Sequence, residues 1–289
     1  MQQPSQSKNL TQSKFALVTG ANSGIGFETA RGLAQAGYNV GLLCRDQSRG
    51  QRALDTLAKE FPQNRFQLYI ADLCDLNQVR RVSKTILSEH SALHLLINNA
   101  GIALDRREIT PQRMEKVFAT NHFGHFLLTQ ELLPALINGA PARIINLTSK
   151  LHRKHRIPWD DIHYTQAPYK VLKVYSESKM MNLLFTMELS RKLNPAQVTA
   201  NAVHPGGVAT NIAGGLKNPF YKLITRFIMP FALPPSEGAK TSLYAALSED
   251  MAGQTGKYLE NSAIADPDPY ALDSAEALKL WNLSAELCR

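Results

Sequence analysis

Cysteine is scarce in this chain. Three occur in 289 residues (Cys44, Cys74 and Cys288), with no CxxC pair and no histidines at metal-ligand spacing beside them. So sparse and odd a count argues against a disulfide framework, points to no metal site, and suits a reducing cytoplasm. Long apolar runs are also missing: none reaches the roughly 18 residues of a spanning helix, so no membrane-spanning segment is expected. Residues 1–13 (MQQPSQSKNLTQS) have no apolar centre of the signal-peptide kind and read as a polar, flexible leader. Repeats, low-complexity tracts and linkers are absent, so 14–289 is expected to form one domain. A chain of that size can close an α/β core without disulfides or metals.

Acidic residues are outnumbered. Thirty-two Lys and Arg against 24 Asp and Glu give a formal charge of +8, which attracts polyanions, anionic membrane surfaces or a phosphorylated cofactor. The densest basic cluster, Lys150 to Arg156 (KLHRKHR), is short and has no interleaved aromatics. Scattered surface charge accounts for the balance, and no nucleic-acid partner is expected.

What is present is an alternation of short β-like runs with helical stretches. The runs are FALVTG (15–20), YNVGLLC (38–44), RFQLYIADL (65–73), LHLLINNAG (93–101), ARIINLTS (142–149), VTANAVHPGG (198–207) and GKYLEN (256–261). Helical patterns cover Ile25–Ala36, 52–61, a long stretch near Glu115–Leu136, and 175–193. This βαβ rhythm predicts a doubly wound parallel sheet of about seven strands with helices on both faces, a Rossmann fold.

The first strand runs straight into Thr19-Gly20-Ala21-Asn22-Ser23-Gly24-Ile25-Gly26 and then a helix. Gly20 permits the tight turn, Gly24 lets the backbone approach a pyrophosphate, and Gly26 lets helix and strand pack closely. Asn22, Ser23 and Ile25 lie in the same turn, whose helix N-terminus offers free N–H groups to phosphates. At the end of the second strand a carboxylate would bind the adenosine ribose, whereas an arginine accommodates a 2′-phosphate. Cys44 holds that slot with Arg45 beside it, and Asp46 follows too late and turned away, so NADP(H) is favoured over NAD(H). Asp72 and Leu73 close the third strand where the adenine would lie, and Asn98-Asn99-Ala100-Gly101 closes the fourth near the cofactor.

Tyr175 and Lys179 stand four apart on a predicted helix and share one face. A cation beside a phenol stabilises the phenolate, so this pair is expected to lower the phenol pKa and serve as general acid or base. Ser149, at the end of the fifth strand, is placed to donate to a substrate oxygen.

Together these segments resemble the short-chain dehydrogenase/reductase family. TGANSGIG, ADL, NNAG, TNHFGHF, INLTS, YSESK and HPGGVAT run in the family's order from Thr19 to Thr210. The resemblance implies that Tyr175 is the acid/base, Ser149 orients substrate and Lys179 binds the nicotinamide ribose. It further implies that Asn121 kinks its helix and holds a water leading from Lys179 to solvent. Pro205, Gly206, Val208 and Thr210 would contact the nicotinamide amide and the pyrophosphate. LLCRD, NHFGHFLLT, NLLFTMELSRKL, VHPGGV and the stretch from EGAKTSLYAAL to LWNLSAELC resemble the retinol-dehydrogenase-like branch, which includes protochlorophyllide reductases.

That branch implies an NADPH-dependent carbonyl reductase or alcohol dehydrogenase acting on a small lipophilic aldehyde, ketone or alcohol. A silent NADP(H)-binding sensor is the alternative, and retention of Ser149, Tyr175 and Lys179 counts against it. Two segments stay open. The stretch between Ser149 and Tyr175, which stand 26 positions apart, with Trp159 and Tyr164, either lines the substrate pocket or pads the surface. Within the substrate-loop region near 211–235, the apolar segment 214–235 is either a lid able to touch a membrane surface or a core helix. The two long helices form a dimer interface in many relatives, but they would equally bury against the sheet in a monomer.

Overall fold

The computed structural model describes residues 14–208, 216, 218 and 232–289. Expectations for the 1–13 leader, for Thr210 and for most of 211–235 therefore lie outside the described residues. The first half supplies strands β1 (Phe15–Thr19), β2 (Asn39–Cys44), β3 (Phe66–Ile70) and β4 (Leu95–Asn98). The second supplies β5 (Ala142–Leu147), β6 (Val198–His204), β7 (Tyr258–Glu260) and β8 (Ala263–Ala265). They join in the order β3-β2-β1-β4-β5-β6-β7-β8. The first seven pair in parallel, as expected. The eighth, beyond the seven expected, returns antiparallel along β7. Its turn places Asn261 and Ser262 at φ 53° and 57°, the left-handed pair that a two-residue hairpin demands.

Helices α1 (Gly24–Gln35), α2 (Gln47–Glu60) and α3 (Leu76–Glu89) follow the first three strands. Helix α2 starts five residues before the expected 52, because the Asp46 carboxylate accepts from Arg49 N at 2.8 Å and caps it. Helix α3 is an addition to the sequence reading. Its signal was there: Asp75 as N-cap, then Leu76, Val79, Val82 and Ile86 buried at helical spacing. The long helix of the middle segment is composite. A short α4 (Lys116–Phe118) passes through a π-helical turn (Ala119–Phe123) into α5 (Gly124–Asn138). Helix α6 (Val171–Lys192) carries Tyr175 and Lys179, and α7 (Pro235–Leu247) and α8 (Ser274–Leu287) complete the layers.

Strand alternation divides the core in two. Ala16, Val18, Leu42 and Ile97 join Leu33 of α1 and Leu57 of α2 on one face. Leu17, Leu43 and Leu96 join Val79 of α3, Phe126 of α5 and Leu184 of α6 on the other. Helix α8 covers the outer side of α5 and α6: Trp281 meets Phe126 and Phe185 at ring separations of 5.1 and 6.1 Å, and Ser284 Oγ pairs with His122 Nε2 at 2.8 Å.

The basic cluster is an internal strap. Lys150 pairs with Glu260 at 3.0 Å, Arg156 pairs with Asp268 at 2.9 Å, and Arg153 donates to the Asp266 carbonyl. The buried His152 donates from Nδ1 to Ser149 O at 2.7 Å and accepts from Asp268 N at 3.1 Å through Nε2. These contacts fasten the segment after β5 to the β7–β8 end of the sheet. Trp159 and Tyr164 do not line the cleft described below. Trp159 Nε1 donates to Glu276 of α8 at 2.8 Å, and Tyr164 is buried against Phe118 and Tyr169.

Close packing is tightest where the composite helix crosses the end of β3. A Cβ added at Gly124 would lie 2.2 Å from the Leu73 carbonyl oxygen, a backbone atom that cannot swing aside. Gly124→Ala is expected to destabilise the fold by about 1–3 kcal/mol, read as a lower urea midpoint at unchanged slope. An unchanged midpoint would refute this close approach.

Candidate functional site

Between β1 and β4 the strand order reverses direction, so successive crossovers leave in opposite senses and open a crevice at the carboxyl ends of the strands. A cleft of about 240 Å³ lies there. Its wall includes Gly20, Asn22, Ser23, Gly24, Ile25 and Gly26 after β1, Asp72 and Leu73 after β3, and Ala100 and Gly101 after β4. Tyr175, Lys179 and Pro205 close the far end.

The glycine turn is held from the β4 side. Thr19 Oγ1 accepts from Asn99 N and Ala100 N, both at 2.9 Å, and Asn99 Nδ2 donates to Thr19 O at 2.7 Å. A Cβ at Gly26 would stand 2.4 Å from both Asn99 Nδ2 and Gly20 O, so only glycine fits. Ser23 is the N-cap of α1, yet its side chain makes no capping bond. The first N–H groups of α1 are therefore left for an anion. At Gly24 a Cβ would meet nothing within 4 Å, which leaves open space for a pyrophosphate. These features fit a dinucleotide.

At the adenosine end the exposed Arg45 lines the cleft as expected. Asp46 lines it too, contrary to the expectation that it turns away; its Oδ1 accepts from Arg49 N at 2.8 Å and from Ser48 Oγ at 2.9 Å. Cys44 is buried below the turn, its thiol pushed up to about 12 by burial, and does not form the wall. Arg49, one turn into α2, lines the cleft beside Arg45. The sequence reading missed it, because 49 was outside the expected helix; the Asp46 cap was the signal.

One further expectation is corrected, and three expected residues stand outside this wall. Asn98 lies beneath the cleft, where Nδ2 donates to Asn146 Oδ1 at 2.8 Å and to Thr129 Oγ1 at 3.0 Å. Its place is set by strand alternation: Asn98 is paired with Asn146 in the sheet. Ser149 stands just past β5 and outside the wall, its Oγ accepting from Leu151 N at 3.3 Å. Gly206 and Val208 follow Pro205 but are not in the wall; Val208 bridges to Leu233.

Tyr175 is half-buried and Lys179 fully so. Lys179 Nζ donates to Leu147 O at 3.0 Å and sits 5.6 Å from the Tyr175 ring centroid. Burial pushes the ammonium down to about 8. It also pushes the phenol up from its ordinary value, the reverse of the expected depression. Asn121 lies in the π-helical turn. Its Oδ1 accepts from Ile102 N at 2.8 Å, and its Nδ2 donates to Ile102 O and Ser178 Oγ, both at 3.0 Å.

Comparison with known proteins agrees with this architecture. Residues 14–219 match a family model described as short chain dehydrogenase. Retinol dehydrogenase 12 of Mus musculus is 39% identical over 275 residues, covering 95% of this chain and 86% of that protein. Retinol dehydrogenase 13 of Homo sapiens is 36% identical over 285 residues, covering 97% of this chain and 86% of that one. A crystal structure from Mycobacterium Paratuberculosis superposes with a TM-score of 0.77 at 32% identity, covering 95% of this chain and 93% of that one. Among the described residues no helix is long and apolar enough to cross a membrane, and no group of three side chains could hold a metal ion.

Glu177 lies between Tyr175 and Lys179 in sequence and is buried. Tyr164 donates to it, Lys173 Nζ lies 3.9 Å away, and Glu115, which accepts from Tyr169 Oη at 3.0 Å, adds repulsion. Burial is the main cause that raises its carboxyl to about 7. The folded chain thus keeps a proton that the unfolded chain loses near pH 4.5, so Glu177's contribution is full below that value and fades as pH rises to about 7. Glu177→Gln should gain stability relative to the wild type across that window, measured by urea midpoints at acid and alkaline pH. A pH-independent difference would show that Glu177 ionises alike in both states.

Proposed function

We propose a reaction from one premise: the chain belongs to the short-chain dehydrogenase/reductase family, in its retinol-dehydrogenase-like branch, and is an oxidoreductase of that type. On this reading it is an NADPH-dependent enzyme that moves a hydride between nicotinamide and a carbonyl or alcohol group of a small lipophilic substrate. The observation that carries it is the single cleft joining the uncapped α1 terminus and Arg45 at one end to Tyr175 and Lys179 at the other. Relatives that are retinol dehydrogenases, at 36% and 39% identity, support a lipophilic alcohol or aldehyde.

A bound nicotinamide would supply the hydride; the side chains manage the proton. The Tyr175 phenol, kept protonated by burial, donates to the carbonyl oxygen in reduction. Ser149 accepts from Leu151 N and so retains its hydroxyl proton to orient that oxygen. Lys179, buried and cationic below about pH 8, steadies the phenolate left behind and holds the ribose. The Asn121 carbonyl has a second lone pair for the water leading from Lys179. Pro205, Gly206, Val208 and Thr210 serve the nicotinamide end. Arg45 and Arg49 would hold the 2′-phosphate through charge-assisted hydrogen bonds.

Because α8 occupies the outer side of α5 and α6, we read the chain as a monomer at that face. Three free, buried cysteines support a cytoplasmic location. Light scattering should return about the 32.0 kDa of one chain; a stable dimer would contradict the monomer.

Titration by nicotinamide fluorescence should show NADPH bound at least about 10-fold more tightly than NADH, with the preference lost in Arg45→Ala/Arg49→Ala. Equal affinities would remove the phosphate role of both arginines. Tyr175→Phe should keep NADPH binding while aldehyde-dependent NADPH oxidation falls by about 10²–10⁴-fold. Binding without turnover on any aldehyde in the wild type would favour a sensor.

A further inference from the structure

His125 has no part in the reaction proposed above, yet its ring joins the two ends of the cleft. It is 2% exposed, on the first turn of α5. Its Nδ1 lies 3.0 Å from the main-chain oxygen of Asn121, and its Nε2 lies 2.9 Å from Thr19 Oγ1. The protons on this path are fixed by elimination. A carbonyl only accepts, so Nδ1 carries the hydrogen. Thr19 Oγ1 already accepts from Asn99 N and Ala100 N, so its own proton must leave, and Nε2 at 2.9 Å is a nearer acceptor than Ile97 O at 3.4 Å. The imidazole is therefore neutral in the Nδ1–H form. Burial pushes its pKa down to about 4, and the Lys179 cation acts in the same direction.

The path continues at both ends. From Asn121 it runs through Nδ2 to Ser178 Oγ, which donates to the Tyr175 carbonyl at 2.7 Å. From Thr19 it runs to Asn99 and Ala100, which line the cleft next to the glycine turn. The path is an unbroken run of short polar contacts, so a shift at one end is passed along it or breaks a bond. Loss of a single buried bond leaves an unpaired group behind.

We propose that His125 is a positioning residue, which sets the Asn121 peptide in the π-helical turn against the Thr19 end of the glycine turn. Cofactor seated on that turn then fixes the peptide that aligns Tyr175. The inference rests on the proposed reading of the cleft as an NADPH-dependent site.

Two substitutions split the ring's two contacts. Asparagine reproduces the Nδ1–H donor to Asn121 O but is too short for Thr19; glutamine reaches Thr19 but lacks that donor. His125→Asn is expected to weaken NADPH binding at least about fivefold with kcat within about threefold, and His125→Gln to do the opposite, kcat falling about tenfold or more. Direct fluorescence titration gives the affinity, single-turnover oxidation gives the rate, and thermal melting reports stability. Parallel losses of affinity, rate and melting temperature in both variants, or no change in either, would overturn the proposal and leave His125 a packing residue. The wild type provides a test independent of variant folding. ¹⁵N-histidine spectra should show His125 as the neutral Nδ1–H form between about pH 6 and 8, with its Nε2 resonance moving on addition of NADPH. An Nε2–H form, or a resonance indifferent to NADPH, would also overturn it. A wild type that turns over no aldehyde would instead fault the reading of the cleft, an outcome visible before any variant is made.

Discussion

The molecule depends on how β1 and β4 end side by side. Both strands run in parallel and stop at the same level, and the chain leaves them toward opposite faces. Thr19 seals this junction, its one hydroxyl gathering two main-chain N–H groups from the β4 loop. The close approach of Gly26 to Asn99 and the opening above Gly24 follow from that seal. So does the alignment of α1, whose uncapped first turn looks into the crevice.

Local features were the legible ones. The glycine turn and the Tyr175–Lys179 pair could be read because their meaning lies within a single turn or helix. Arg45 was legible as the residue next to a strand end. Arg49 was hidden, since its position depends on where α2 begins, and that depends on the Asp46 side chain choosing the Arg49 amide. Asn98 was misread because a strand's period of two turns it toward Asn146 and Thr129, whereas its neighbour Asn99 reaches the glycine turn. The direction of the Tyr175 shift was misread for a different reason. Four-residue spacing puts Lys179 on the same face, but it says nothing of how far the phenol is desolvated, and burial sets the direction. Partners far apart in sequence, such as Thr19 and His125 at a separation of 106 residues, have no local signature.

Charge told a similar story. The KLHRKHR run draws attention as a basic patch, yet Lys150, Arg153 and Arg156 bind the far edge of their own sheet. The strap turns on the buried His152, which ties the Ser149 carbonyl to the backbone of Asp268. The segment between Ser149 and Tyr175 is thereby joined to both the β7–β8 hairpin and α8. Exposed ion pairs of this kind contribute little individually; here their effect is to fix where the chain runs after β5.

The cover that α8 places over α5 and α6 has a consequence for biosynthesis. A ribosome finishes both of those helices well before it reaches Trp281. During that interval Phe126 and Phe185 lack the indole that shields them in the native state. The nascent chain therefore carries an aromatic stripe while the last strands are still being added, the kind of surface that invites chaperone capture or wrong pairing between polysomal neighbours. Docking of the late helix ends that exposure, and it comes after the parts of the reactive cleft have been made.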